Sequence, residues 1–172
     1  MFVYATVYSM APLVPLESRT LELFVKRSRF IAKAEKVSSP EEVKPLVRRR
    51  REEHPGCSHV VWAFVTGPPK SRTMGLSDDG EPKGTAGRPV LEVLKGSGIT
   101  DTLVTVVRFF GGTKLGTGGL VRAYSDAARG VLENIPTEEL IPGPATSCRL
   151  SLPVAGAAER VAPWTGSCQS GD

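Results

Sequence analysis

Apolar residues along this chain change their spacing several times, and each spacing predicts an element. Leu21, Leu23 and Val25 alternate with polar neighbours, Arg27-Ser28-Arg29 interrupts, and Phe30-Ile31-Ala32 resumes. Leu21 to Val37 therefore reads as two strands or one bent strand. Ser38-Ser39-Pro40-Glu41-Glu42 has the form of a helix start, with Ser39 as N-cap, Pro40 first in the helix and Glu42 as capping-box partner. Val43, Leu46 and Val47 then share a helical face. Pro45 conflicts with that start because it removes an intrahelical bond. Either the first turn is irregular or the helix begins at Pro45. Arg48-Arg49-Arg50-Arg51 falls near its end, where cations suit the helix dipole.

His59 to Val65 is a continuous apolar run and predicts a buried strand, followed by a turn at Gly67-Pro68-Pro69-Lys70. Met74 to Gly87, dominated by Gly, Asp, Pro and Thr, reads as irregular. Pro89 to Lys95 is a short helix closed by Gly96. Thr102 to Phe110, rich in β-branched and aromatic residues, is the strongest strand. A glycine-rich stretch, Gly111 to Gly119, leads into a helix over Leu120–Leu132, with Leu120, Tyr124, Ala127 and Val131 on one side. Pro136 ends it. Pro142-Gly143-Pro144 then marks a linker, Arg149–Val154 a strand and Ala155–Trp164 a short helix.

A length of 172 residues fits one domain and a fragment of another, and no internal repeat is visible. The expected organisation is an N-terminal extension over 1–19 (with Met10 an alternative start), a domain over 20–136, a linker over 137–146, and a second domain cut short over 147–172. The net charge of +4 is uneven: residues 19–54 carry 11 basic and 6 acidic side chains. That bias permits an anionic partner without demanding one. Cys57, Cys148 and Cys168 form no C-x-x-C pair, which argues against a zinc ribbon or a disulfide framework. No apolar run reaches the length of a membrane span and no basic signal region precedes the start, so the expectation is a cytoplasmic protein with no membrane contact.

Two stretches concentrate candidate chemistry. In Ser77-Asp78-Asp79-Gly80-Glu81-Pro82-Lys83-Gly84-Thr85-Ala86-Gly87, three carboxylates lie within four residues. Carboxylates that close need a cation or N–H donors, so the stretch is a polar ligand loop, a hard-cation site, or a turn whose Asp side chains cap the backbone. It lacks the EF-hand spacing. In Arg108-Phe109-Phe110-Gly111-Gly112-Thr113-Lys114-Leu115-Gly116-Thr117-Gly118-Gly119, a strand feeds a glycine-rich loop and then a helix. Free N–H groups there suit an anion, assisted by Arg108, Lys114 and Arg122. The alternative is a tight turn packed on a neighbour. It is not a Walker A loop, and the G-x-G-x-x-G spacing fails at Val121.

Two further features have bland readings that are preferred. His54, Cys57 and His59 could ligate zinc, but a fourth ligand is missing. Cys57 and His59 could form a nucleophile and base, with Asp78 or Asp79 as orienter, against a buried thiol beside a bonded imidazole. The four-arginine run could meet RNA phosphates, but Glu41, Glu42, Glu52 and Glu53 flank it, so a solvated helix end is favoured. No catalytic residue, metal ligand or cofactor is assigned.

SDDGEPKGTAGRPVLEVL, VVRFFGGTKLGTGGLVRAYSDAA and KRSRFIA together resemble the YigZ/IMPACT family (the UPF0029 group), over about Leu21 to Asn134. The resemblance implies an α/β (α+β) first domain like domain 2 of ribosomal protein S5, a mixed sheet with packed helices, plus an incomplete ferredoxin-like unit. It implies regulation of translation, with ribosome, RNA or a translation factor as partner and an anionic ligand at the glycine-rich loop. The family's motif residues here are Ser77, Asp78, Asp79, Gly80, Glu81, Gly84, Thr85, Gly87, Arg108, Gly111, Gly112, Lys114, Gly116, Gly118, Gly119 and Arg122. Ser77–Gly87 and Arg108–Gly119 are expected at one surface, where their opposite charges either meet a ligand or pair with each other. The alternative is an enzyme acting on a phosphorylated or nucleotide ligand, with Asp78 or Asp79 as base or metal ligand. A protein-interaction module is a third reading.

Overall fold

The computed structural model describes residues 12–68 and 71–140. Eleven elements run β1 (Leu13–Pro15), β2 (Arg19–Val25), β3 (Ser28–Lys36), a 3-10 turn (Pro40–Glu42), α1 (Val43–Glu53), β4 (His59–Thr66), β5 (Thr73–Ser77), α2 (Gly87–Gly96), β6 (Thr102–Phe109), α3 (Thr117–Glu133) and β7 (Thr137–Glu139). Five strands form one sheet in the order β2-β3-β6-β4-β5. The α+β class expected from the sequence is present. A mixed sheet was expected, but every ladder in it is antiparallel. The reason is topological: β3 and β4, joined through α1, run parallel, and β6 inserts between them.

The central strand β6 is buried along seven of its eight residues, which explains its unbroken apolar run. One face of the sheet carries α2 and α3 over Phe30, Ala32, Val61, Ala63, Val104 and Val106. α3 buries Leu120, Ala123, Tyr124, Ala127, Ala128, Val131 and Leu132 at alternating spacings of three and four. The other face carries α1 over Val37, Phe64 and Leu103, with Val60, Val107 and Ile31 beside them.

Several local expectations shift. Leu21–Val37 is two strands, but the turn is Lys26–Arg27, with φ of 45° and 69°, rather than Arg27–Arg29. The first turn of the Pro40 helix is irregular, so Pro45 falls where its missing N–H costs nothing. The Ser39 side chain makes no cap bond; Glu42 accepts the Ser38 N–H instead. Met74–Ser77, read as irregular, belongs to the edge strand β5: Gly75 leaves room for the Phe64 ring, which a Cβ would overlap. Leu13–Pro15, expected in the extension, pairs with Thr137–Glu139, expected in the linker. Elements expected beyond residue 140, including the ferredoxin-like start, lie outside the described residues, as do Met10, Pro69 and Lys70.

Candidate functional site

The antiparallel register gathers five segments at one end of the sheet. Arg108 on β6 pairs with His59 at the start of β4 and with Phe30 on β3, so the β2–β3 turn, the start of β4, the exit of β6 and the starts of α2 and α3 all lie there. The Ser77–Gly87 and Arg108–Gly119 stretches meet at this end, and they meet by charge pairing. Arg108 Nη1 donates to Glu81 Oε1 at 2.6 Å, and both side chains are buried. Tyr124 Oη donates to the same oxygen at 2.8 Å, and His59 Nε2 lies 3.8 Å from it. The Arg108 guanidinium carbon stands 5.5 Å from the Phe30 and Phe110 ring centroids. Of the two outcomes expected for Arg108, a bound anion or pairing with the facing carboxylates, the fold shows the pairing, with Glu81. Burial beside the Glu81 carboxylate drives the Tyr124 hydroxyl far above its usual range, so it stays protonated and donates to Glu81.

The other two carboxylates are equally committed. Asp78 accepts the N–H groups of Gly84, Ala86 and Gly87 at 2.8, 3.1 and 2.8 Å. Ala86 has no side-chain acceptor, so Asp78 supplies the N-cap of α2 from eight residues upstream. Asp79 Oδ2 accepts Arg51 and the Val60 N–H, both at 2.5 Å. Its carbonyl faces His59 Nδ1 at 2.8 Å, so that nitrogen carries the proton. Ser77 accepts the Asp79 N–H, Thr85 donates to the Pro82 carbonyl, and Gly80 lies against the His59 ring. Both oxygens of Asp78 and Oδ2 of Asp79 are thus taken by the fold's own N–H donors and by Arg51.

The four-arginine run is a clamp rather than a free basic face. Arg49 bonds Glu35 on β3 and Arg51 bonds Asp79. Arg50 is buried and reaches Thr105, Glu53 and His54 Nε2. Arginine only donates, so His54 Nε2 is the bare nitrogen. Burial, then the Arg50 charge, lowers the His54 pKa. A depressed folded pKa means stability held above the unfolded value of about 6.5 and lost as pH falls through it. Urea midpoints are therefore expected to fall between pH 7.5 and pH 5, and less steeply in His54→Asn. An equally steep fall in that variant would clear His54.

Past Arg108 the glycine-rich loop is open. Gly111 is tied down: a Cβ would stand 2.0 Å from the Arg27 carbonyl oxygen, so only glycine lets this loop lie on the β2–β3 turn. Gly119 rests on Leu115, while Gly112, Gly116 and Gly118 face open space and α3 begins with no side-chain cap. Lys114 and Arg122 are exposed, as are Lys26 and Arg27 across the Gly111 contact. Among the described residues, eight lysines and arginines have no ion-pair partner: Lys26, Arg27, Lys83, Arg88, Lys114 and Arg122 lie at this end, while Lys44, in the first turn of α1, and Arg72, just before β5, lie away from it. The carboxylates without one, apart from the bonded Asp78, are Glu41, Glu42, Asp101, Glu133 and Glu139, on the elements of the opposite end. Sequence reasoning missed Lys26, Arg27 and Lys83 because spacing does not show which cations are neutralised. It missed the Tyr124 hydroxyl because the ring fits an apolar helix face.

Comparison with known proteins adds the following. Residues 26–132 match the family model of the Impact N-terminal domain. An IMPACT family member of Haemophilus influenzae is 42% identical over 127 residues, covering 73% of this chain and 62% of the relative. The IMPACT family member YigZ of Escherichia coli is 42% identical over 131 residues, covering 76% and 64%. A crystal structure described as that of a hypothetical protein superposes with a TM-score of 0.72 at 42% identity, over 75% of this chain and 63% of that one. The chain thus spans a little under two thirds of the length of these relatives. Among the described residues, no helix is long and apolar enough to cross a membrane.

Proposed function

The chain belongs to the IMPACT family, and from that premise we propose that it is a translation-associated regulatory protein whose basic end contacts RNA, on the ribosome or free. Regulation of translation is what the family resemblance implies, and the reading includes a cytoplasmic location with the ribosome. The observation that carries the RNA contact is the separation of unpaired charge. Six of the eight lysines and arginines without partners crowd the end where α2 and α3 begin, and the unpaired carboxylates stand at the other end, with Lys44 and Arg72 among them. Such a field attracts a polyanion and orients it on approach. The open N–H groups of the loop and of the α3 start add neutral donors for phosphate oxygens.

Affinity for purified ribosomes and for short RNA, measured across salt, tests this. Binding is expected to weaken steeply with salt. Replacing Lys26, Arg27, Lys114 and Arg122 by Gln is expected to lower the log–log slope by about 0.7 for each cation that meets a phosphate. A slope that is unchanged in the fourfold variant would overturn the assignment of this end as the RNA contact.

A further inference from the structure

Resting on the RNA reading above, we infer that the basic end takes unpaired strand, with bases stacking on Phe110 and Phe24. The observation is which aromatic rings the fold leaves in water. Among the described residues, Phe24 and Phe110 are the exposed aromatics, at 67% and 49%. Other large aromatics, including Phe30, Phe64 and Tyr124, are buried. An exposed phenylalanine forfeits the burial that a core position gives. Here two of them border the same cluster of unpaired cations.

Phe24 lies two residues before the Lys26–Arg27 turn and pairs with Arg29, which pairs in turn with Phe109. Phe110 directly precedes Gly111, whose backbone lies against the Arg27 carbonyl. The two rings are carried on β2 and on the exit of β6 with β3 between them; Phe24 shares the sheet face of Arg29 and Phe109 and Phe110 that of Arg108, so they flank the Lys26–Arg27 turn from its two sides, and a strand that meets both passes over the turn. Lys26, Arg27 and Lys114 lie on the turn and loop that adjoin them. Phe110 already has the Arg108 guanidinium 5.5 Å from its centroid, which holds the ring in place while half of the residue stays exposed. Exposed rings beside unpaired cations are what a single strand needs: phosphates meet Lys and Arg, and bases lie on the rings. A duplex keeps its base faces inside its own stack and cannot use them.

Three probes of matched charge separate the possibilities: a short single-stranded oligouridylate, an RNA duplex, and inorganic polyphosphate. Single strand is expected to bind about tenfold tighter than the other two. Phe24→Leu and Phe110→Leu are each expected to lose about 5- to 50-fold for single strand, with polyphosphate affinity unchanged. Thermal melts check that both variants fold, and Phe24→Leu stands independently because Phe24 does not touch Arg108. Equal affinity for all three probes, or full single-strand affinity in Phe24→Leu and in a folded Phe110→Leu, overturns the stacking inference alone. If none of the three binds in a salt-dependent way, the RNA reading falls and this inference with it.

Discussion

Glu81→Ala is expected to destabilise the domain by about 3–5 kcal/mol, because it leaves Arg108 buried without a counter-charge. The same change strands the Tyr124 hydroxyl, and Arg108 Nε already lacks a partner. Arg108→Met is expected to be comparably severe, since the carboxylate then keeps only Tyr124 and a distant His59. Tyr124→Phe removes one donor and costs about 1–2 kcal/mol. The double variant Glu81→Leu/Arg108→Met removes both charges, and most of the loss is expected to return, because paired buried ions gain little over apolar side chains of similar volume. Urea unfolding of the parent, Glu81→Leu, Arg108→Met and the double variant closes the cycle. A Glu81→Ala loss below about 1 kcal/mol would mean that the pair behaves like a surface contact. The folded double variant has a second use: it is expected to bind RNA with the salt slope of the parent. A lowered slope would restore Arg108 to the anion contact expected from the sequence.

That pair also shows what the sequence could and could not say. The strongly patterned elements were legible: the β6 run and the HVVWAFV strand are near-continuous apolar stretches, and the α3 face keeps a helical period from Leu120 to Leu132. The adjacency of the two loops was legible as a bet on opposite charge. Which charges survive the meeting was not, since pairing depends on register. Arg108 looked free because it stands in a glycine-rich context, while Lys26 looked ordinary because it sits in a tight turn. Register decides both: Arg108 points into the layer under α3, and Lys26 caps a hairpin in water. β1 and β7 are short and owe their existence to each other, far apart along the chain, which no local period records; β5 is a short edge strand on the preceding β4, and Gly75 interrupts its apolar alternation. The same holds for Arg50, one of four identical neighbours, whose burial follows from the side of α1 it occupies.

Asp78→Ala is expected to cost about 2–3 kcal/mol, more than an ordinary N-cap, because one carboxylate serves three N–H groups at the start of α2. Burial alone would raise the Asp78 pKa, but the bonds from Gly84, Gly87 and Ala86 outweigh it and hold the group below the usual 3.8. With a depressed folded pKa, its contribution is present above the unfolded value and lost as pH falls through the folded one. Acid unfolding of the parent should therefore be partly Asp78 protonation, and Asp78→Asn should start less stable at neutral pH and lose less below pH 4. The amide keeps one oxygen for two donors but turns an NH2 toward the third, so part of the cap survives. Parallel acid curves for parent and Asn variant would remove Asp78 from the acid transition. The loss should also travel. The stretch that Asp78 closes carries Glu81 and Lys83, so an uncapped α2 loosens the carboxylate that holds Arg108 and Tyr124. Asp78→Ala and Glu81→Ala are therefore expected to combine to less than the sum of their separate costs.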